Sequence, residues 1–291
     1  MLSEREILFG IVLPLVVSLC IGLAGRWSKQ AWLMPLGCGV GFLVGYCDSL
    51  GSAGGFGLPR LPPQDGTDWL FWTTLPAIAL ATFSATKPRR WHAAMGLWAG
   101  VVVFAIARPL VPGTLSLNAA ILVAILAAVT GVALVRAQSA AAKRLGDPWT
   151  VASLYIVLGA AGVTVLSSNL RTVGVYGLGA SAAVVPLILL TRNRHVGGSL
   201  AILAISILSG LLTAGHYYPD PGLTPIQTTI LGLSPLLVLI ALRFPARRPF
   251  LAGVAALLAV TIAVLSIAAP SALAAKRAAE GDPYGSTPGN S

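Results

Sequence analysis

"LNAAILVAILAAVTGVALV", residues 117–135, is a run of nineteen residues without a charge, and "RAQSAAAKRLGDPW", residues 136–149, follows it with three basic residues. At a rise of 1.5 Å per residue, a helix over the first stretch crosses roughly the ~30 Å hydrocarbon core of a bilayer. The second stretch then supplies the basic flank expected of a cytoplasmic loop. That pairing of an apolar span with a short basic or polar connection recurs along the whole chain.

Composition agrees with it. The 291 residues are 56 % hydrophobic and 10 % charged, and mean hydropathy is +0.84. Soluble domains carry about 25 % charged residues. No stretch between the apolar runs is long enough for a soluble domain. The predicted fold is all-α: one polytopic transmembrane bundle over residues 1–270, with a disordered, Pro/Gly-rich tail over 271–291. About ten transmembrane helices are predicted, at 7–24, 31–47, 69–86, 93–111, 117–135, 149–167, 172–190, 198–215, 225–242 and 250–269.

The basic residues orient these spans. Of 19 Lys and Arg, thirteen fall in the loops after the odd-numbered spans, among them "KPRRWH" (87–92) and "RFPARRP" (243–249). The positive-inside rule makes those loops cytoplasmic and leaves both termini outside. Eight of the nine acidic residues lie on the outer side; Asp147 is the exception. The net charge of +10 therefore reads as threading, and nucleic acid is not expected as a partner. Glu4, Arg5 and Glu6 precede the first span with net negative charge, so a retained span is expected there and not a signal peptide. The expected location is a plasma membrane of the bacterial inner-membrane type.

Inside the spans there is little that carries chemistry. Cys20, Cys38 and Cys47 have no CxxC spacing and read as small packing residues. Gly37, Gly41 and Gly45 line one helical face, a seam for close helix packing. Pro14, Pro76, Pro186 and Pro235 predict kinks. Thr130, Ser153, Thr164, Ser206 and Ser209 read as hydrogen-bonding between helices. No carboxylate or Lys lies at mid-depth, which argues against a buried proton relay. HExxH, GxSxG and GxxxxGK[ST] are all absent, and "GASAA" around Ser181 lacks the second glycine of a nucleophile turn. His92 and His195 sit in basic loops, where solvation or headgroup contact is expected.

The outer loops hold the remaining candidates. "GLPRLPPQDGTDW" (57–69) contributes Arg60, Asp65 and Asp68, "GHYYPDPG" (215–222) contributes His216 and Asp220, and Asp48, Arg108 and Arg171 lie at the same level. Several carboxylates with one His can bind a cation or orient a polar solute. Helix caps and turns account for the same residue types. No cofactor is expected. The expected partners are the lipid bilayer and either a small polar solute or a membrane-protein partner. The reading is a small-solute permease or an accessory subunit of a membrane complex, leaning away from an enzyme. The alternative is a membrane-embedded enzyme with an outer-face His/Asp site.

Overall fold

The computed structural model describes residues 3–50, 57–86, 90–111, 113–168, 170–191, 196–220, 222–244 and 249–280. Among them there is no strand, and each expected span falls on a helix. In chain order these are α1 (Glu4–Trp27), α2 (Leu33–Leu50), α3 (Gly66–Ser84) and α4, which is split into Arg90–Met95 and Trp98–Ala107. They continue with α5 (Leu117–Leu145), α6 (Asp147–Ser167), α7 (Arg171–Leu190), α8 (Gly197–Tyr217), α9 (Pro225–Arg243) and α10 (Pro249–Glu280). Seven of these helices, α1 and α5 to α10, are long and apolar enough to cross a membrane.

Helix α8 is the axis of the bundle. It packs on α3, α4, α5, α6 and α7, and every residue from Gly197 to Gly215 is buried except Ser209. The outer ring turns large apolar side chains away from the protein, such as Val16 on α1, Leu126 and Val129 on α5, and Ile262 on α10. Hydrocarbon is as apolar as leucine, so contact with lipid gives no drive for helix association, and close packing at small residues must supply it. The Gly37, Gly41 and Gly45 face does this against α1. A Cβ on Gly41 would stand 2.5 Å from the Pro14 carbonyl oxygen, and one on Gly45 would stand 2.6 Å from Pro14 Cγ. Similar seams join α6 to α7 at Gly162 and Gly177, and α4 to α5 at Gly96 and Gly131.

Three helices are irregular. In α1 a π turn over Leu8–Val12 comes just before Pro14, and the Leu13 N–H reaches back to the Leu8 carbonyl. In α4 the break falls at Gly96 and Leu97, where α4 lies on the backbone of α5. In α9 an α-helix over Pro225–Leu233 gives way to a 3₁₀ helix over Ser234–Arg243, starting where Pro235 has no N–H to donate. Pro76 and Pro186, also expected to kink their spans, lie inside continuous helices.

Two helices overrun their expected ends. α5 continues ten residues past Val135, through the Ala-rich "RAQSAAAKRL", and stops at Gly146, whose φ of +91° suits glycine. The expectation of a disordered tail from Ser271 is corrected in part. α10 runs on through "SALAAKRAAE" to Glu280, with Lys276 and Arg277 placed favourably for the helix dipole. Residues 281–291 lie outside the described residues.

Contacts between connections keep to two ends of the bundle. At one end Arg171 pairs with Glu6, Tyr218 packs over Gly66 and donates to the Ile106 carbonyl, and Gln227 donates to Ser271. At the other end Asp147 accepts from Val196 and Gly197, Arg26 donates to the Leu189 carbonyl, and Arg144 donates to the Phe244 carbonyl.

Candidate functional site

The end of the α2–α3 connection, with the first turn of α3, is a capping structure. Asp65 is the N-cap of α3 and accepts from the Asp68 N–H at 2.9 Å and from the Thr67 hydroxyl at 2.5 Å. Asp68 is buried, and its carboxylate accepts from the backbone N–H groups of Gln64 (3.1 Å) and Arg60 (3.3 Å). The Arg60 guanidinium donates to Gln64 Oε1 at 2.6 Å, while its carbonyl accepts from Trp72 Nε1 at 3.1 Å. These three candidates therefore meet one another.

The remaining candidates from the loops lie elsewhere. His216 Nδ1 is 2.5 Å from the Leu223 carbonyl and so donates to it, closing its own turn. Arg171 makes a two-point ion pair with Glu6, at 2.7 and 2.5 Å, which ties the start of α7 to the start of α1. Arg108 and Asp220 are exposed. Asp48 falls in the last turn of α2, and its side chain lies outside the described residues.

What joins "PQDG" to "HYYPD" is an aromatic ring. Tyr218 packs on Gly66, where an added Cβ would lie 2.5 Å from its ring. Burial first, and the Asp65 carboxylate second, push its phenol up to about 12. It keeps its proton and donates to the Ile106 carbonyl at 3.0 Å. Among the described residues, no group of three His, Cys, Asp or Glu is placed to hold a metal ion.

The opposite end contains polar groups whose burial the sequence did not signal. His92, expected to be solvated, is 3 % exposed, and its Nε2 lies 2.9 Å from the Ser84 carbonyl. The reason is helical: "RWHAAM" forms the first piece of α4 and turns His92 towards Gly198 of α8. Asp147 is likewise 3 % exposed and accepts from the N–H groups of Val196 (2.9 Å) and Gly197 (3.1 Å). Val196, at the N-cap of α8, has no capping side chain, so a neighbouring helix supplies the carboxylate. His195 lies outside the described residues.

Between the two ends, α9 and α5 separate. The 3₁₀ half of α9 packs on α5, and Gln138, fully buried, donates to the Pro235 carbonyl at 3.1 Å. The α-helical half packs instead on α8 and α10. A cleft of about 370 Å³ opens between it and α5, floored by α8. Five hydroxyl residues line it: Thr130, Ser209, Thr213, Thr228 and Thr229. Most hydroxyls in these helices return to a carbonyl of their own helix, as Thr213 does to Ser209 (2.7 Å) and Thr228 to Thr224 (3.1 Å). Thr164 and Ser206, expected to bond between helices, do the same at 2.7 Å each. Thr130, Ser209 and Thr229 make no such bond among the described residues. Ser209 is also the single partly exposed residue between Gly197 and Gly215 of α8, and it is the cleft that exposes it.

A second cavity, about 710 Å³, lies between α1, α6, α7 and α10 and is walled mainly by aliphatic side chains. The Ser181 hydroxyl on its wall donates to the Tyr155 carbonyl at 3.0 Å, a link between α7 and α6. Compared with known proteins, the chain matches no protein-family model, no curated protein and no solved structure.

Proposed function

We propose that this chain is a multi-pass permease for a small solute, set in a plasma membrane of the bacterial type, with the α5/α8/α9 cleft as its solute site. The observation that carries the reading is the set of uncommitted hydroxyls, Thr130, Ser209 and Thr229, in a cleft beside a broken helix. Helix breaks at a central cavity are how transporters free backbone and side-chain groups for a solute. Asp65, Asp68 and His216 support an enzyme less well, because caps and turns already engage them.

A ten-crossing topology with both termini outside accompanies this reading. The segregation of loop contacts to two ends supports the crossing count, since every such pair named above joins connections of the same parity, and the basic loops support the orientation. Reporter fusions at residues 64, 88, 143 and 247 are expected to read outside for the first and cytoplasmic for the others. A cytoplasmic signal at 64 overturns the orientation.

Transport is tested in proteoliposomes by stopped-flow measurement of glycerol, urea, glycine and lactate entry. At least one solute is expected to enter faster than into protein-free vesicles, and Gly232→Leu is expected to abolish the difference. Gly232 borders the cleft, and an added Cβ there has one atom within 4 Å, Leu212 Cδ1 at 3.4 Å. A leucine is therefore expected to plug the cleft while the bundle still folds, with circular dichroism as the check. Entry no faster than into empty vesicles for every solute sinks the permease reading.

A further inference from the structure

The same cleft has a mouth, a lining and a set of uncommitted hydroxyls that together specify a kind of ligand. We infer that its ligand is the uncharged, hydroxyl-bearing headgroup of a lipid, such as a glycerol or a single sugar, entering sideways from the bilayer. This rests on the cleft being the solute site.

The lining carries no ionisable side chain, so a charged head entering it would lose its hydration without a counter-charge. A bare hydrocarbon chain is also a poor occupant, because it leaves the Thr130 and Ser209 hydroxyls unsatisfied. Each hydroxyl both donates and accepts, which suits an alcohol or an ether oxygen. At about 370 Å³ the cleft holds a headgroup and not a whole lipid.

Two observations favour a lipid head over the free polyol. Apart from the hydroxyls, the walls are valine, leucine, alanine and glycine. The mouth also lies on the flank where Leu126 (57 % exposed) and Leu233 (41 % exposed) face outward from α5 and α9, the surface that meets hydrocarbon. A tail attached to the head would lie there, in lipid, while the head reached Ser209.

The test uses the full chain in phosphatidylcholine nanodiscs, with monoglucosyl-diacylglycerol carrying a diazirine in one acyl chain as the probe. Photolabelling is expected to concentrate on the α5 and α9 residues at the mouth. It should be displaced by unlabelled monoglucosyl-diacylglycerol, and by neither phosphatidylglycerol nor free glycerol. The double variant Thr130→Val, Ser209→Ala is expected to weaken labelling roughly tenfold, the effect of losing two hydrogen bonds. Thr130→Ser should retain it.

Equal displacement by phosphatidylglycerol or by glycerol overturns the ligand class. So does unchanged labelling in the double variant, or label spread evenly over the lipid-facing helices. Solute entry measured on the same variants separates the two readings. Entry without head-specific labelling keeps the permease and removes this ligand; head-specific labelling without entry does the reverse.

Discussion

Gly131→Ala is expected to destabilise the bundle by about 3 kcal/mol, at the upper end of what overpacking a tight core costs. Helices α4 and α5 meet there backbone to backbone. A Cβ on Gly131 would collide with the Gly96 carbonyl oxygen and stand 2.8 Å from Ala99 Cβ. From the other side, a Cβ on Gly96 would lie 2.6 Å from the Gly131 carbonyl oxygen. No flexible side-chain end can swing aside, so relief requires the two helices to separate. Contact with lipid then returns little of the lost packing. Gly232→Ala is the control, because only Leu212 Cδ1 lies near its added Cβ and alanine favours the helix by up to ~1 kcal/mol. Unfolding by sodium dodecyl sulfate, followed by far-ultraviolet circular dichroism, should show a large loss for the first variant and none for the second. Equal midpoints for the two would remove the seam from the account of what holds α4 against α5.

That contrast shows what was legible in the sequence. The apolar runs located the helices, because hydrocarbon demands length and lack of charge, and both are plain in the residues. The Gly37, Gly41 and Gly45 seam was legible for a similar reason: a four-residue spacing puts small residues on one face whatever they pack against. Helix ends were less so. "RAQSAAAKRL" reads as polar loop by charge and as helix by alanine content, and Gly146 decided the stop. The break in α4 had no signal in hydropathy, since Gly96 and Leu97 are as apolar as their neighbours.

The candidate site was the least legible part, and the reason is chemical. Charged residues draw the eye to the α2–α3 connection, where Asp65, Asp68 and Arg60 turn out to cap and brace α3. The cleft is built from hydroxyls, and a serine or threonine in a membrane helix has by default a carbonyl of its own helix to bond. Thr130 and Ser209 are the same residue types as Thr164 and Ser206, but they lack that bond and are partly exposed. This is a property of rotamer and neighbour, not of residue type. His92 went unrecognised as a buried group because "KPRRWH" is basic, yet the helix it begins carries the imidazole inward to Gly198.

Asp147 offers the second large effect, and it bears on how α8 is held. Asp147→Ala is expected to cost about 3 kcal/mol, because two buried N–H groups lose a charged acceptor at once. The carboxylate spans the start of α8, with one oxygen 2.9 Å from Val196 N and the other 3.1 Å from Gly197 N. Gly197 is fitted to it, since a Cβ there would stand 2.8 Å from both Asp147 Oδ1 and Thr150 Oγ1. Alanine at 147 leaves the first turn of the most buried helix without its cap and without water to replace it. Asp147→Asn retains one acceptor oxygen, so an intermediate loss is expected. Hydrogen exchange separates this mechanism from general loosening: protection should fall first at residues 196–199 and later in α3, which packs on α8 further along. Uniform loss of protection through α3, α6 and α8 in Asp147→Ala would mean that the carboxylate braces that whole end of the bundle, and the capping account would fail.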